Sequence, residues 1–300
     1  VKFFLIITSF ILPAILHAAL RIGTQSIYNF DNRELISQSS PPQILNLKKS
    51  VALIFNSDDL ITENNQLLIF ANLLLDLPPV GMNICPNERY ADHHAYKSAC
   101  SGFLVGKDLL ATAGHCMDNQ FSCDNQLIAF DVDADSEISR GFKTQEENIY
   151  HCKEIVAHFK QKGSMKDYAV IRLDRETDRQ PLKVRTSGKI TTKDQVFLLG
   201  HPLGLPLVFS PSAEISDNSN PVYFKTRVNS FRGNSGSPLF NAKTFLVEGI
   251  LVRGEEDLQF DEINQCQRYA KYLSTDVDFK LKGESVTRIK YILPFLSSAN

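Results

Sequence analysis

Gly233-Asn234-Ser235-Gly236-Ser237-Pro238 is the stretch on which the reading of this chain turns. A serine hydroxyl is a weak nucleophile near neutral pH, and it needs a base to take its proton and dipoles to receive the developing charge. Glycines at 233 and 236 carry no Cβ, which lets backbone N–H groups around Ser235 approach a reacting carbonyl closely. Upstream, Thr112-Ala113-Gly114-His115-Cys116 offers the base. Between the two lies Asp167-Tyr168-Ala169-Val170-Ile171-Arg172-Leu173, an apolar run headed by a carboxylate. His115, Asp167 and Ser235 follow in that order, 52 and 68 residues apart. Taken singly, each motif reads equally as a turn, a loop or a strand end, and Asp131 or Asp174 is as eligible a carboxylate. Three motifs in one order, each beside a strand-like run, point to nucleophilic acyl transfer.

At these residues the chain resembles the trypsin-like (chymotrypsin-fold) serine peptidases, which carry T-A-x-H-C, D-x-A-[LV]-[LI]-x-L and G-[DN]-S-G-[SG]-P in that order. The 68-residue gap suits compact bacterial relatives, including the glutamyl endopeptidase-like group. The resemblance implies an all-β fold of two antiparallel six-stranded β-barrels with the active site between them, and a C-terminal helix. His115 and Asp167 would come from the first barrel and Ser235 from the second. It further implies a Ser-His-Asp triad acting through an acyl-enzyme, an oxyanion hole made by the N–H groups of Gly233 and Ser235, and neither cofactor nor metal. Cys100 and Cys116 stand at positions that are disulfide-bonded in the family. Closing that loop of 17 residues would stabilise the fold by about 3 kcal/mol.

The chain also departs from the family pattern. Asn234 replaces the Asp that in animal relatives pairs with the new N-terminus after zymogen cleavage, so that switch is not open to it. Gly249 to Gly254 resembles the substrate-lining strand, but Val252 stands where a serine usually supports the catalytic Asp, which leaves Asp167 less firmly held. Asn229, Ser230, Leu251 and Arg253 are the candidate pocket residues. Asn229 replaces the acid that selects Lys or Arg in trypsin. Ser230 agrees with glutamate-selective relatives, whereas Leu251 stands where they use a histidine. Arg232 or Arg253 would supply positive charge for an acidic substrate residue. The pocket preference stays open.

Residues 1–19 read as a signal peptide: Lys2, an apolar run from Phe3 to Leu12, a break at Pro13 and small residues at Ala18 and Ala19. The run is short for a bilayer span, and an uncleaved anchor is the alternative. Six cysteines in an exported chain suit an oxidising destination, secreted or periplasmic. Cys123 and Cys152 flank strand-like runs in the same half of the chain, which favours their pairing and leaves Cys85 with Cys266, although sequence alone does not fix connectivity. A net charge of −2 without a basic block speaks against a nucleic-acid partner. Protein or peptide substrates are the expected partners, with no stable membrane insertion once the leader is cleaved. Oligomeric state is not legible.

Residues 20–80 are expected to be an N-terminal extension or pro-segment, with a short helix over Leu67 to Leu75 and with Val51–Phe55 outside the core. The peptidase domain is expected over 81–300, with barrel one about 85–178 and barrel two about 180–285. Gly102–Val105, Leu109–Thr112, Leu127–Val132, Ile155–Phe159, Tyr168–Leu173, Gln195–Leu199, Val222–Val228, Pro238–Phe240 and Phe245–Val252 read as its strands, bounded by Gly, Pro, Asn and Asp. Val286 to Leu296 is the candidate C-terminal helix. Asp131-Val132-Asp133-Ala134-Asp135 alternates like a calcium loop, but Ser136 and Phe142 stand where the turn glycine and closing Glu belong, so it reads as a solvated acidic loop. His93, His94 and His201 lack partners at zinc spacing and read as surface or structural histidines. A catalytically silent homologue acting as a binding or adhesion module is the rival from another class. An esterase is a third reading, weakened because Ser235 runs into a strand rather than a helix.

Overall fold

Twelve strands close into two six-stranded antiparallel barrels in the computed structural model, which describes residues 26–76, 83–97, 99–161 and 163–296. The expected leader lies outside the described residues. Barrel one is built from β1 (Val51–Asn56), β2 (Cys100–Leu104), β3 (Leu109–Thr112), β4 (Gln126–Phe130), β5 (Ile149–Lys160) and β6 (Asp167–Leu173). They pair in the order β4-β5-β6-β3-β2-β1, and β1 returns to β4 to close the ring. Barrel two is built from β7 (Gln195–Gly200), β8 (Val208–Asp217), β9 (Tyr223–Thr226), β10 (Pro238–Asn241), β11 (Val247–Arg253) and β12 (Glu284–Arg288). Its ring runs β7-β10-β11-β12-β9-β8 and closes through β8 on β7.

Several strands read as unbroken apolar runs because both of their faces are buried. Side chains alternate across a strand. Leu104, Leu110, Ala169 and Ile171 therefore point into barrel one with Ile54, Ile128 and Phe130. Their neighbours Phe103, Leu109, Ala111 and Val170 pack outward with Phe197, Leu199, Phe240 and Ile250 from barrel two. Val196, Leu198, Leu239, Leu251 and Val286 fill the second barrel in turn. The stacked rings of Phe197 and Phe240, 4.8 Å apart, sit in the seam between the barrels. Each fully buried side chain of this size contributes about 2–3 kcal/mol over leaving it in water. The seam thus holds the barrels together along the line where the candidate site residues emerge.

Several expectations for the N-terminal region do not hold. Val51–Phe55 is a wall of barrel one: all five residues are buried, and the strand pairs with both β2 and β4. The expected helix over Leu67 to Leu75 is instead a strand, Gln66–Phe70, followed by a short strand and a 3-10 turn. Asn64 and Asn65 both adopt positive φ (50° and 61°), the two-residue hairpin turn that returns Gln66–Phe70 along Leu60–Glu63. At the other end, Val286–Arg288 belongs to β12 and only Leu293–Leu296 is α-helical. The acidic loop is braced, not merely solvated: Asp131 pairs with Arg179 and Asp133 with Lys48, while Asp135 accepts from the Gln38 backbone. Disulfides join Cys100 to Cys116, Cys123 to Cys152 and Cys85 to Cys266. Among the described residues no helix is long and apolar enough to cross a membrane.

Removing β1 would leave the edges of β2 and β4 unpaired and open the first core to water. A chain begun at Ser57 is expected to lose its cooperative thermal transition and its near-UV circular dichroism. Retention of both would show that barrel one closes without β1.

Candidate active site

Asp167 opens β6 and is fully buried, at 0% exposure. A lone carboxylate there would be costly, and the loop after β3 answers it twice. Asp167 Oδ1 accepts the His115 backbone N–H at 3.0 Å, and Oδ2 lies 2.8 Å from His115 Nδ1. Arg253 Nη2, at the end of β11, stands 3.7 Å from the same Oδ2. Burial alone would raise the Asp167 pKa, but hydrogen bonds and charge from His115, with Arg253, outweigh it and hold the carboxyl below its usual range. Thr287 Oγ1 on β12 accepts the Asp167 N–H at 3.2 Å and donates to Met165 O. Where Val252 stands in place of the usual serine, Thr287, which nothing in its sequence neighbourhood marks, and Arg253, expected in the pocket but turned toward Asp167, lie beside the carboxylate.

Ser235 sits in the loop between β9 and β10, and Ser101 of β2 fixes that loop. Ser101 N donates to Ser235 O at 2.8 Å, and its hydroxyl donates to Gly233 O at 2.9 Å. The same hydroxyl accepts from His201 N at 3.0 Å, while Ser101 O accepts from Thr112 Oγ1 at 2.7 Å. Gly233 and Gly236 have φ of +93° and +90°, and a Cβ on either would overlap a carbonyl, His201 O or Ser101 O respectively. Asn234 N, Gly236 N and Ser237 N all donate to backbone carbonyls. Among the described residues, Gly233 N and Ser235 N donate to none. Arg232 O accepts from Leu203 N at 2.5 Å, and in a trans peptide the N–H points opposite to the C=O. Gly233 N–H accordingly faces away from Leu203. On the His115 side, Cys116 Sγ lies 3.7 Å from Ser235 O, so the two loops meet. Among the described residues, no hydrogen bond joins the His115 ring to the Ser235 hydroxyl, a contact that often tightens only with substrate bound.

The family model for the trypsin-like peptidase domain matches residues 100–250, half of the chain and the whole span from Cys100 through Ser235. The chain belongs to the trypsin-like peptidases. Its fold resembles that of a Glu endopeptidase solved in complex with MPD, with a TM-score of 0.54 at 14% identity over 91% of this chain and 97% of that one. A serine endoprotease from Yersinia pestis aligns over 73% of this chain and 59% of its own, with TM-score 0.45 and 15% identity. At 14% identity the likeness to the Glu endopeptidase speaks to the fold alone. No curated protein sequence matches the chain.

In this serine peptidase the expected pocket residues part company. Leu251 is fully buried in the core of barrel two, because side chains alternate along β11. Its backbone does the work instead, accepting from Gly236 N at 2.8 Å and donating to Ser237 O at 3.0 Å. Asn229 is spent on the N-terminal strap: Oδ1 accepts from Tyr28 N, and Nδ2 donates to Phe30 O and Asn32 Oδ1, each at 2.7 Å. Ser230 Oγ accepts from Asn234 Nδ2 at 2.8 Å. His93 and His94 both reach the Glu137 carboxylate. His115, Cys100 and Cys116 lie close together, but both cysteine sulfurs are committed to their disulfide.

Two outcomes follow from the Ser235 loop. Gly236→Ala would force a Cβ into Ser101 O at positive φ and is expected to cost more than about 2 kcal/mol, read from the urea midpoint. His201, fully buried beneath the loop, has its pKa lowered by burial from 6.5 to about 4 despite a hydrogen bond to Leu205 O. The unfolded chain takes up this proton below about pH 6.5 while the folded one refuses it until about 4. The stability His201 contributes is thus fully present above pH 6.5 and lost as pH falls toward 4, by about 3 kcal/mol. Urea melts between pH 7 and 4 should show that loss in the wild type and a smaller one in His201→Gln.

Proposed function

We propose that this chain is a secreted or periplasmic serine endopeptidase in which Ser235 attacks the scissile carbonyl. His115 takes the Ser235 proton and returns it to the leaving amine. Asp167 holds the imidazole tautomer and stabilises the imidazolium. The observation that carries this reading is the buried Asp167 carboxylate, which grips both His115 N and Nδ1 and leaves the other ring nitrogen without a protein hydrogen bond among the described residues. Gly233 N–H and Ser235 N–H, which flank Asn234 and donate to no protein acceptor among the described residues, form the oxyanion hole. One such donor is commonly worth about 3 kcal/mol in the transition state. Three disulfides and the apolar leader support export.

Maturation on this reading cuts before Ser26. Residues 26–33 are tied to Asn229, Ser230 and Ala270, and β1 is a barrel wall, so loss of everything up to residue 80 would dismantle the site's support. Asp167→Asn is expected to lower kcat by about 10⁴-fold without unfolding the protein. A fluorophosphonate should label Ser235 in the wild type and leave Ser235→Ala unmarked. Failure of folded wild type to label would support the catalytically silent binding module instead.

A further inference from the structure

Glu284, the first residue of β12, is a buried acid that the triad does not use. Its exposure is 0%, and Oε2 has no hydrogen-bond partner. Oε1 accepts from Tyr28 OH at 2.9 Å. Among the described residues no lysine, arginine or histidine pairs with it. Its acidic neighbours are supplied: Glu255 pairs with Lys282 at 3.3 Å, and Asp257 accepts from Arg232 N at 3.2 Å. Burial pushes the Glu284 carboxyl well above the usual carboxylate range. The Tyr28 hydroxyl and the Glu255 backbone lower it only in part, and the charges of Asp257 and Glu255 raise it further. An acid stripped of water and left without a cation is destabilising, and its position relative to Ser235 shows what would compensate it.

Two segments flank the nucleophile. One is the loop leading into it, from Asn229 to Gly233; the other is β11, whose Leu251 is hydrogen-bonded to Gly236 and Ser237 and whose Arg253 reaches Asp167. Glu284 lies where these segments converge. Its carboxylate fills the space before Gly254, the residue after Arg253, so that a Cβ on Gly254 would overlap both carboxylate oxygens. From the other side, Tyr28 spans the gap, its N–H on Asn229 and its hydroxyl on Glu284. On the peptidase reading, a substrate whose carbonyl sits at Ser235 places the preceding side chain between these same two segments. Resting on the peptidase reading above, we propose that Glu284 is the specificity-determining carboxylate of this enzyme, receiving the lysine or arginine side chain that precedes the cleaved bond. The ammonium or guanidinium donates to Oε2 and gives the buried acid its missing cation. Arg232 does not oppose this with a free positive charge, since Asp257 balances it. Neither does Arg253, which is engaged with Asp167.

The test separates this inference from the peptidase reading itself. Fluorophosphonate labelling of the wild type establishes the active serine without regard to side-chain preference. A peptide library should then show cleavage after Lys and Arg with kcat/KM at least about 100-fold above that after Glu, Gln or Leu, and Glu284→Gln should lose that advantage. Independently of catalysis, p-aminobenzamidine should bind Ser235→Ala, and bind at least about tenfold more weakly when Glu284→Gln is added. Glu284→Asp, which keeps the charge on a shorter arm, should fall between the two and serves if the Gln variant fails to fold. Labelling with cleavage after acidic or apolar residues, or no benzamidine binding, would overturn the inference and leave the peptidase standing. Without labelling the peptidase reading falls, and benzamidine binding alone then decides whether Glu284 receives a cation.

Discussion

Ser101 is the small residue on which the site's geometry depends. It sits on a strand of the first barrel, wholly buried, and every polar group it owns is committed. Its amide and hydroxyl hold two carbonyls of the nucleophile loop in the second barrel, the hydroxyl also anchors the chain at His201, and its own carbonyl is held by Thr112. Buried polar groups that are fully satisfied give a rigid, unique arrangement, whereas half-satisfied ones are costly. Thr112 in turn lies three residues before His115. One residue thereby sets the distance between the histidine loop and the serine loop, although they belong to separate cores.

Asp167 shows the complementary principle, that a buried charge must be answered. His115 supplies two donors, Arg253 a nearby positive charge, and Thr287 fixes the backbone on either side. These partners come from the loop after β3 and from two strands of barrel two, so the charge is neutralised only where the barrels dock. Ionic and apolar packing are coupled here: the seam of Phe197, Phe240 and Val170 excludes water from the same place.

Much of the architecture was legible because the strands are short, apolar and punctuated by polar turns. Leu109–Thr112 and the Gln195 strand fell where alternation and flanking residues put them. Val51–Asn56 was misassigned because the family motifs begin downstream at Cys100 and drew the boundary with them; its unbroken Val-Ala-Leu-Ile-Phe run was the signal that it belonged inside. Leu67 to Leu75 is apolar enough for either helix or strand, and the deciding mark was the Asn64-Asn65 turn before it. Val208–Asp217 carries no such signal, because Pro211 and three serines interrupt its alternation. In the site, His115, Asp167 and Ser235 stood in recognisable surroundings. Thr287, Arg253 in its actual place, and Glu284 did not, since a residue's partners across a barrel leave no trace in its sequence neighbours.

The N-terminal strap makes the order of assembly uneven. Ile27 and Tyr28 pair with Lys271 and Tyr272, Ser230 binds Ser26, and Cys85 is bonded to Cys266. Barrel one can close once Leu173 has emerged during synthesis, but the strap's partners Asn229 and Ser230 follow more than fifty residues later and Lys271 and Tyr272 nearly a hundred later. Contacts of such long sequence separation form late and slowly. A nascent chain would therefore carry a finished first barrel with an unseated leading end, and the nucleophile loop would acquire its last buttress only when synthesis is almost done. A chain assembled in this sequence keeps the Ser235 loop unbraced until its last strands are in place.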